Sequence, residues 1–185
     1  MLRYMSIAAT GALFTASASA QVFVIGSGLG GDCFQKTKNT YHSFRSAEET
    51  CTRALREETM TRANRAATYV NRGVLRMREG LYSEAIDDYQ KALDIQSELG
   101  AAYLNRGAAH IYQKQFSDAL QDLNRAIELQ SEDLFAAYYN RAIAKENTGD
   151  VPGAYMDFQK ALELKPNWQL AEKQLSRFRL TPDKG

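Results

Sequence analysis

The chain predicts an all-α fold: a right-handed α-solenoid of stacked helical hairpins. Three observations carry that reading. One phrase recurs, as Tyr69-Val70-Asn71-Arg72-Gly73, Tyr103-Leu104-Asn105-Arg106-Gly107 and Tyr138-Tyr139-Asn140-Arg141-Ala142. An alanine frame follows each copy, running Ala85 to Ala92 around Asp88, Ala119 to Ala126 around Asp122, and Ala154 to Ala161 around Asp157. The register is 34 residues from the first copy to the second and 35 from the second to the third. A single hairpin cannot bury its own apolar face, so units at this period stack and share a core.

Taken in order, residues 1–20 read as a secretory signal. Arg3 supplies the positive start, an apolar run reaches Phe14, and Ala18-Ser19-Ala20 supplies the Ala-x-Ala end. Cleavage is expected after Ala20, with a second frame after Ala18. The alternative is an uncleaved anchor, but Ser, Thr and Gly interrupt the run and it falls short of the ~20 apolar residues a span needs. No cysteine stands at the cleavage point, so lipid attachment there is not expected. The implied location is periplasmic or secreted, without stable membrane insertion after cleavage.

Residues 21–30 form a glycine-rich leader, Gln21-Val22-Phe23-Val24-Ile25 and then Gly26-Ser27-Gly28-Leu29-Gly30-Gly31. The spacing of Gly26, Gly28 and Gly31 matches G-x-G-x-x-G. A dinucleotide site also needs a second parallel strand ending in an acid, and no second β-rich run follows before the repeats. A flexible or edge-packed leader is therefore expected, with no cofactor.

Residues 31–62 read as a degenerate helical hairpin. Ser46-Ala47-Glu48-Glu49 has the form of a capping box opening a helix. On that helix Ala47, Cys51 and Ala54 share the spacing of Ala85, Tyr89 and Ala92. Cys33 and Cys51 are the only cysteines, and an even pair in an exported chain favours a disulfide. Closing that loop contributes roughly 3 kcal/mol by chain entropy. A redox-active pair is the alternative, and the pair lacks the C-x-x-C arrangement.

Three repeats follow, at residues 66–99, 100–133 and 135–167. In the first, amphipathic stretches run from Ala66 to Glu79 and from Ser83 to Gln96. Gly80 and Gly149 are expected to close helices, because glycine tolerates positive φ. Ser83 and Ser117 are expected to open the next ones. Residues 168–185 complete the chain, with Trp168 to Leu180 as a capping helix and Thr181 to Gly185 as a frayed tail.

This pattern resembles the tetratricopeptide repeat, whose motif is Trp-x2-Leu-Gly-x2-Tyr, then Ala-x3-Phe, Ala and Pro. Here the first aromatic is Tyr69, Tyr103 or Tyr138, and the small residue is Gly73, Gly107 or Ala142. Ala-x3-aromatic survives as Ala85/Tyr89 and Ala154/Phe158, with Leu123 in the middle copy. Proline remains only as Pro166, and Ser97 and Ser131 replace it earlier. The motif's Leu is Arg throughout, and its Tyr is Arg76, His110 or Lys145, as in an Asn-Arg-Gly form of the repeat. The resemblance covers Ala66 to Asn167.

By that resemblance the first helix of each repeat lines a concave groove. The facing residues are Val70, Asn71, Val74 and Met77, then Leu104, Asn105, Ala108, Ile111 and Tyr112, then Tyr139, Asn140 and Ile143. Such a surface suits an extended peptide or a helix, with Asn carboxamides satisfying peptide backbone. The family's carboxylate-clamp form needs Lys beside the first-repeat Asn and basic residues in the third. Val70 and Tyr139 stand at those places, so an acidic C-terminus is not the expected ligand.

Catalysis needs convergent titratable groups. His42 and His110 lie far apart and have no partner at metal-ligand spacing, and no nucleophile or phosphate-loop motif occurs. No catalytic, cofactor or metal residue is expected. Net charge is +1, with no basic block, which gives nucleic-acid binding no support. Arg72/Asp88, Arg106/Asp122 and Arg141/Asp157 each stand 16 residues apart. They read as structural ion pairs within or between repeats, the alternative being an arginine ladder for an acidic partner. The function expected is a non-enzymatic exported adaptor that binds a protein partner through the groove. The alternatives are a self-assembling homo-oligomer whose groove holds another protomer, and a groove filled by the chain's own ends, such as Gln21 to Ile25.

Overall fold

The structure is a computed structural model that describes residues 2–6, 21–24, 26, 28–39 and 41–182. Four helical hairpins follow one another along the chain. They are α1 (Leu29–Lys38) with α2 (Phe44–Glu57), α3 (Arg62–Arg78) with α4 (Tyr82–Ile95), α5 (Gly100–Tyr112) with α6 (Phe116–Glu128), and α7 (Leu134–Asn147) with α8 (Val151–Leu164). A short α9 (Gln169–Leu175) closes the array. Strands β1 (Leu2–Ser6) and β2 (Phe178–Pro182) pair antiparallel, with Leu2 opposite Pro182 and Ser6 opposite Phe178.

The first helices α1, α3, α5 and α7 touch in series and make the inner layer, while α2, α4, α6 and α8 stand outside them. Small residues permit this stacking. A Cβ on Gly73 would lie 2.5 Å from the Tyr89 ring, and one on Gly107 would lie 2.8 Å from Leu123 Cγ. Tyr89, Leu123 and Phe158, one per repeat, are fully buried. The core is continuous through the last two repeats, from Leu104 to Phe178. A second cluster gathers around Val70, Val74 and Tyr89, and a third joins Cys33, Ala47, Cys51 and Leu75.

Within each repeat the interhelical turn closes by the same backbone bond. Leu81 N–H donates to Arg76 O (2.9 Å), Gln115 to His110 O (2.8 Å) and Asp150 to Lys145 O (2.9 Å). The residue before each donor is left-handed: Gly80 at φ 77°, Lys114 at 60° and Gly149 at 92°. This turn moves the next helix start ahead of the serines. Helices α4 and α6 begin at Tyr82 and Phe116, so Ser83 and Ser117 lie inside the first turn and are not caps. Ser83 instead accepts from Gln113 Nε2 at 2.7 Å. Asp150 does cap α8, accepting from Gly153 N–H at 2.9 Å.

Three other expectations are corrected. Helix α2 starts at Phe44 with Ser43 as its cap, three residues before the expected Ser46, and Phe44 packs onto the cysteine cluster. Glu48, within that helix, pairs with Arg76 at 2.7 Å. Helix α3 starts at Arg62, capped by Thr61, four residues before Ala66. The C-terminal cap stops at Leu175 instead of Leu180. There the chain extends because Phe178 is buried against Tyr155 and Phe158, at ring separations of 5.6 and 5.9 Å, and β2 has β1 to pair with. Of the segment read as a signal, residues 1 and 7–20, with both cleavage frames, lie outside the described residues. Among the described residues no helix is long and apolar enough to cross a membrane.

Candidate functional site

Each repeat is framed by one arginine that makes the same three contacts. Arg72 clasps Asp88 through Nε and Nη2 (2.9 and 2.7 Å), Arg106 clasps Asp122 (2.8 and 2.6 Å), and Arg141 clasps Asp157 (2.7 and 2.8 Å). Each guanidinium also lies over the tyrosine three residues earlier, Tyr69, Tyr103 or Tyr138, at 5.6, 5.5 and 5.1 Å. The third contact crosses to the preceding hairpin. Nη1 donates to Thr52 Oγ1 (3.0 Å) from Arg72, to Gln90 Oε1 from Arg106, and to Asn124 Oδ1 (2.8 Å) from Arg141. Thr52, Gln90 and Asn124 each follow the large core position, Cys51, Tyr89 or Leu123. By position, α2 stands to α3 as α4 stands to α5 and α6 to α7.

A second side chain with a nitrogen reaches each aspartate. Arg76 stands 3.0 Å from Asp88, His110 Nε2 3.7 Å from Asp122, and Lys145 3.0 Å from Asp157. Burial opposes the charge on Arg72 and Arg106, yet the paired carboxylates more than offset it and hold both above the ordinary arginine pKa. For Arg141 the Asp157 carboxylate outweighs burial from the start. All three arginines are engaged by the aspartates of their own repeats.

The inner layer carries the expected groove residues, and ten of the twelve are buried. Val70, Asn71, Leu104, Ile111, Tyr139 and Asn140 are fully buried, and Val74, Asn105, Ala108 and Ile143 nearly so. Met77 and Tyr112 keep partial exposure. Most of these side chains are therefore packed within the array, and little apolar surface is left open there. At the first repeat the chain's own leader covers it. Val22 N–H donates to Asn71 Oδ1 (3.1 Å), and Asn71 Nδ2 donates to Val22 O (2.9 Å). One carboxamide thus satisfies both backbone groups of one residue, as a neighbouring strand would. Val22 packs on the Val70/Val74 cluster, Val24 is buried, and Phe23 points outward. Gln21 Nε2 donates to Thr37 O at 3.1 Å.

Glycine spacing in the leader has a local explanation. Glu58 Oε2 accepts from Gly30 N–H at 2.7 Å, in the first turn of α1. A Cβ on Gly28 would lie 2.5 Å from Glu58 Oε1, and its φ of 133° is one that residues with a side chain rarely adopt. A helix N-terminus attracts anions, and here a side chain of the same protein supplies one. The Cys33 and Cys51 sulfurs stand 2.07 Å apart, joining α1 to α2, and both residues are fully buried. Among the described residues no group of three or more His, Cys, Asp or Glu is placed to hold a metal. His42 lines a shallow pocket of about 140 Å³ with Lys36 and Arg78, while His110 Nδ1 meets Gln115 Oε1 at 2.7 Å. Burial holds the Arg78 pKa below its ordinary value.

Asn71 was legible from the sequence as a groove residue. Its engagement with Val22 was not, because Asn105 and Asn140 share its sequence signature. The alternation of Val22 and Val24 about Phe23 was the one available signal. Glu58 was missed altogether, since nothing near it in sequence marks a cap for α1.

Sequence models of the tetratricopeptide repeat match residues 64–132 and 135–167. No curated protein matches the chain. Among solved structures, the first tetratricopeptide domain of Spaghetti (RPAP3), bound to an HSP90 peptide SRMEEVD, is 31% identical. That match covers 60% of this chain and 87% of that one at a TM-score of 0.57. The second such domain of human RPAP3, in complex with an HSP70 peptide SGPTIEEVD, is 26% identical. It covers 63% and 96% at a TM-score of 0.58. MamA from Desulfovibrio magneticus RS-1 is 18% identical over 80% and 82%, at a TM-score of 0.68, which is a likeness of fold.

Proposed function

The chain belongs to the tetratricopeptide repeat family, and from that premise we propose that it is a non-enzymatic adaptor whose concave face binds an extended segment of a partner protein. One observation carries the reading: the Asn71 carboxamide holds both backbone groups of Val22. A surface that binds peptide backbone within the chain has the chemistry to bind it from another chain. Rigid stacked helices present that surface preorganised, which limits the entropy lost on binding. The two RPAP3 domains were solved with peptides ending in Glu-Glu-Val-Asp. Val70 and Tyr139 stand where a clamp for such an end would need basic residues, so the proposed ligand is not an acidic C-terminus.

The adaptor is further proposed to act after export. The Ala-x-Ala end at Ala20 and the Cys33–Cys51 pairing support an oxidising compartment. Cleavage after Ala20 would remove β1 and leave Gln21 as the first residue, directly before the residue that Asn71 holds. N-terminal sequencing of protein from the envelope fraction tests this, and a chain still beginning at Met1 overturns it.

Site-specific photocrosslinking tests the binding face. A photoreactive residue is placed at Met77 or Tyr112 on the inner layer, or at the exposed Met156 of α8. Partner adducts at 77 and 112 but not at 156 support the reading. Adducts at 156 alone move the interface to the outer layer. A self-adduct that grows with protein concentration supports the homo-oligomer instead.

A further inference from the structure

We infer that Gln21–Val24 is an internal ligand of the concave face and a template for the partner. The partner segment would be extended and uncharged, with β-branched residues two apart, and would bind by displacing the leader. This rests on the concave-face reading above.

Three features support it. Specificity comes from alternate side chains. Val22 is half buried on the Val70/Val74 cluster, Phe23 is 65% exposed, and Val24 is 5% exposed. This is the alternation of an extended segment with one face seated. The slot at Val24 is also sized for a branched chain. A Cβ on Gly30 would lie 3.3 Å from Val24 Cγ1 and 3.1 Å from Met60 Cε, so the glycine makes room for the valine. Phe23 sits edge-on to Phe34 at 5.2 Å, outside the slot, and adds little selectivity there.

Attachment is strong enough to hold the leader yet weak enough to release it. The leader is fixed by two hydrogen bonds with Asn71, one from Gln21 to Thr37 O, and apolar contact, and Gln21–Val24 carry no charged side chain. Behind it, Gly26 and Gly28 lie at φ 121° and 133°, where glycine backbone turns freely. Glu58 anchors Gly30 beyond them. The result is a tethered competitor hinged at the glycines and fixed beyond them, at an effective concentration on the order of millimolar. A partner's apparent affinity falls by the fraction of time the slot is free.

The full chain carrying Val22→Asp and Val24→Asp tests this, since buried carboxylates expel the leader. The probe is a fluorescein-labelled, terminally blocked peptide Gln-Val-Phe-Val-Ile, read by fluorescence polarisation. Controls are Gln-Asp-Phe-Asp-Ile and the acidic-ended Ser-Arg-Met-Glu-Glu-Val-Asp. The doubly substituted chain is expected to bind the probe at least about tenfold more tightly than wild type. Neither control should compete, and adding Asn71→Ala should abolish binding. Val22→Pro is the second variant. It removes the N–H that Asn71 Oδ1 accepts, without adding a charge, and should give a smaller gain in the same direction. Equal probe binding by wild type and both variants overturns the inference. Preference for the acidic peptide overturns the template, and with it the exclusion of an acidic C-terminus, while leaving the concave face as the binding surface. That reading fails separately, if Met77 and Tyr112 give no adducts.

Discussion

Replacing Asp88 with Asn is the sharpest single test of the arginine frame. Asp88 is fully buried and accepts from Arg72 at 2.9 and 2.7 Å and from Arg76 at 3.0 Å. Asparagine keeps the size but removes the charge, and turns an NH2 group toward a guanidinium. Arg76 retains Glu48 at 2.7 Å, so Arg72 is the cation left stranded. Breaking a buried pair in this way costs about 3–5 kcal/mol. For a chain of this size each kcal/mol lowers Tm by roughly 2–4 °C, so a fall of about 6–20 °C is expected. Thermal unfolding followed by helical circular dichroism measures it. The equivalents provide a ranking: Asp157→Asn, with Lys145 at 3.0 Å, should cost nearly as much. Asp122→Asn should cost least, because its second partner, the His110 ring, stands farther away at 3.7 Å. The double replacement Arg72→Met with Asp88→Leu should recover most of the loss, since no charge is then stranded. A shift under about 2 °C for Asp88→Asn, or a double variant less stable than the single one, would refute the frame.

Tyr89→Phe should be neutral or stabilising by up to about 1 kcal/mol, because the hydroxyl is buried with no hydrogen-bond partner among the described residues; urea titration checks it. Burial, with Asp88 beside it, pushes the Tyr89 pKa well above the ordinary 10.0. The unfolded chain therefore loses this proton first, so stability is full below pH ~10 and declines above it. Tyr89→Phe should flatten that decline in denaturant titrations between pH ~9 and ~11. Replacing Cys33 and Cys51 together with Ala should cost roughly 3 kcal/mol and leave the repeats folded, as judged by helical signal and urea midpoint. Glu58→Ala should cost about 1 kcal/mol by uncapping α1, and hydrogen exchange should rise first at Gly30.

Periodic features of the fold were legible in the sequence because they repeat. The helix pairs, the Gly73/Tyr89 and Gly107/Leu123 contacts and the sixteen-residue arginine spacing recur in register, and stacking forces each copy to the same solution. Features that occur once were not legible. Ser83 and Ser117 have cap chemistry, but the backbone turn through Arg76 O and His110 O starts the helices ahead of them. The pairing of β1 with β2 joins segments at opposite ends of the chain, and neither carries a local mark of the other. The candidate groove was legible as a set of positions and not as a state of occupancy. Asn71 looks like Asn105 and Asn140 in sequence, and only the fold brings Val22 to it.

The arginine contact that crosses between hairpins also gives the array a direction. Nη1 of Arg72, Arg106 and Arg141 each ties a repeat to the one before it, and Arg72 reaches back as far as α2. One further period of 35 residues brings Ser176 to the arginine's place, and Gln159, the next residue in the series of Thr52, Gln90 and Asn124, donates to Tyr155 within its own helix instead. A linear array unravels from whichever terminus has the weaker neighbour coupling. The N-terminal end has both the tie to Thr52 and the Cys33–Cys51 bond, whereas α9 has neither. By these two ties the N-terminal end, which holds the leader against Asn71, is the more firmly coupled to its neighbour, and the C-terminal end relies instead on the β1–β2 pairing and the burial of Phe178.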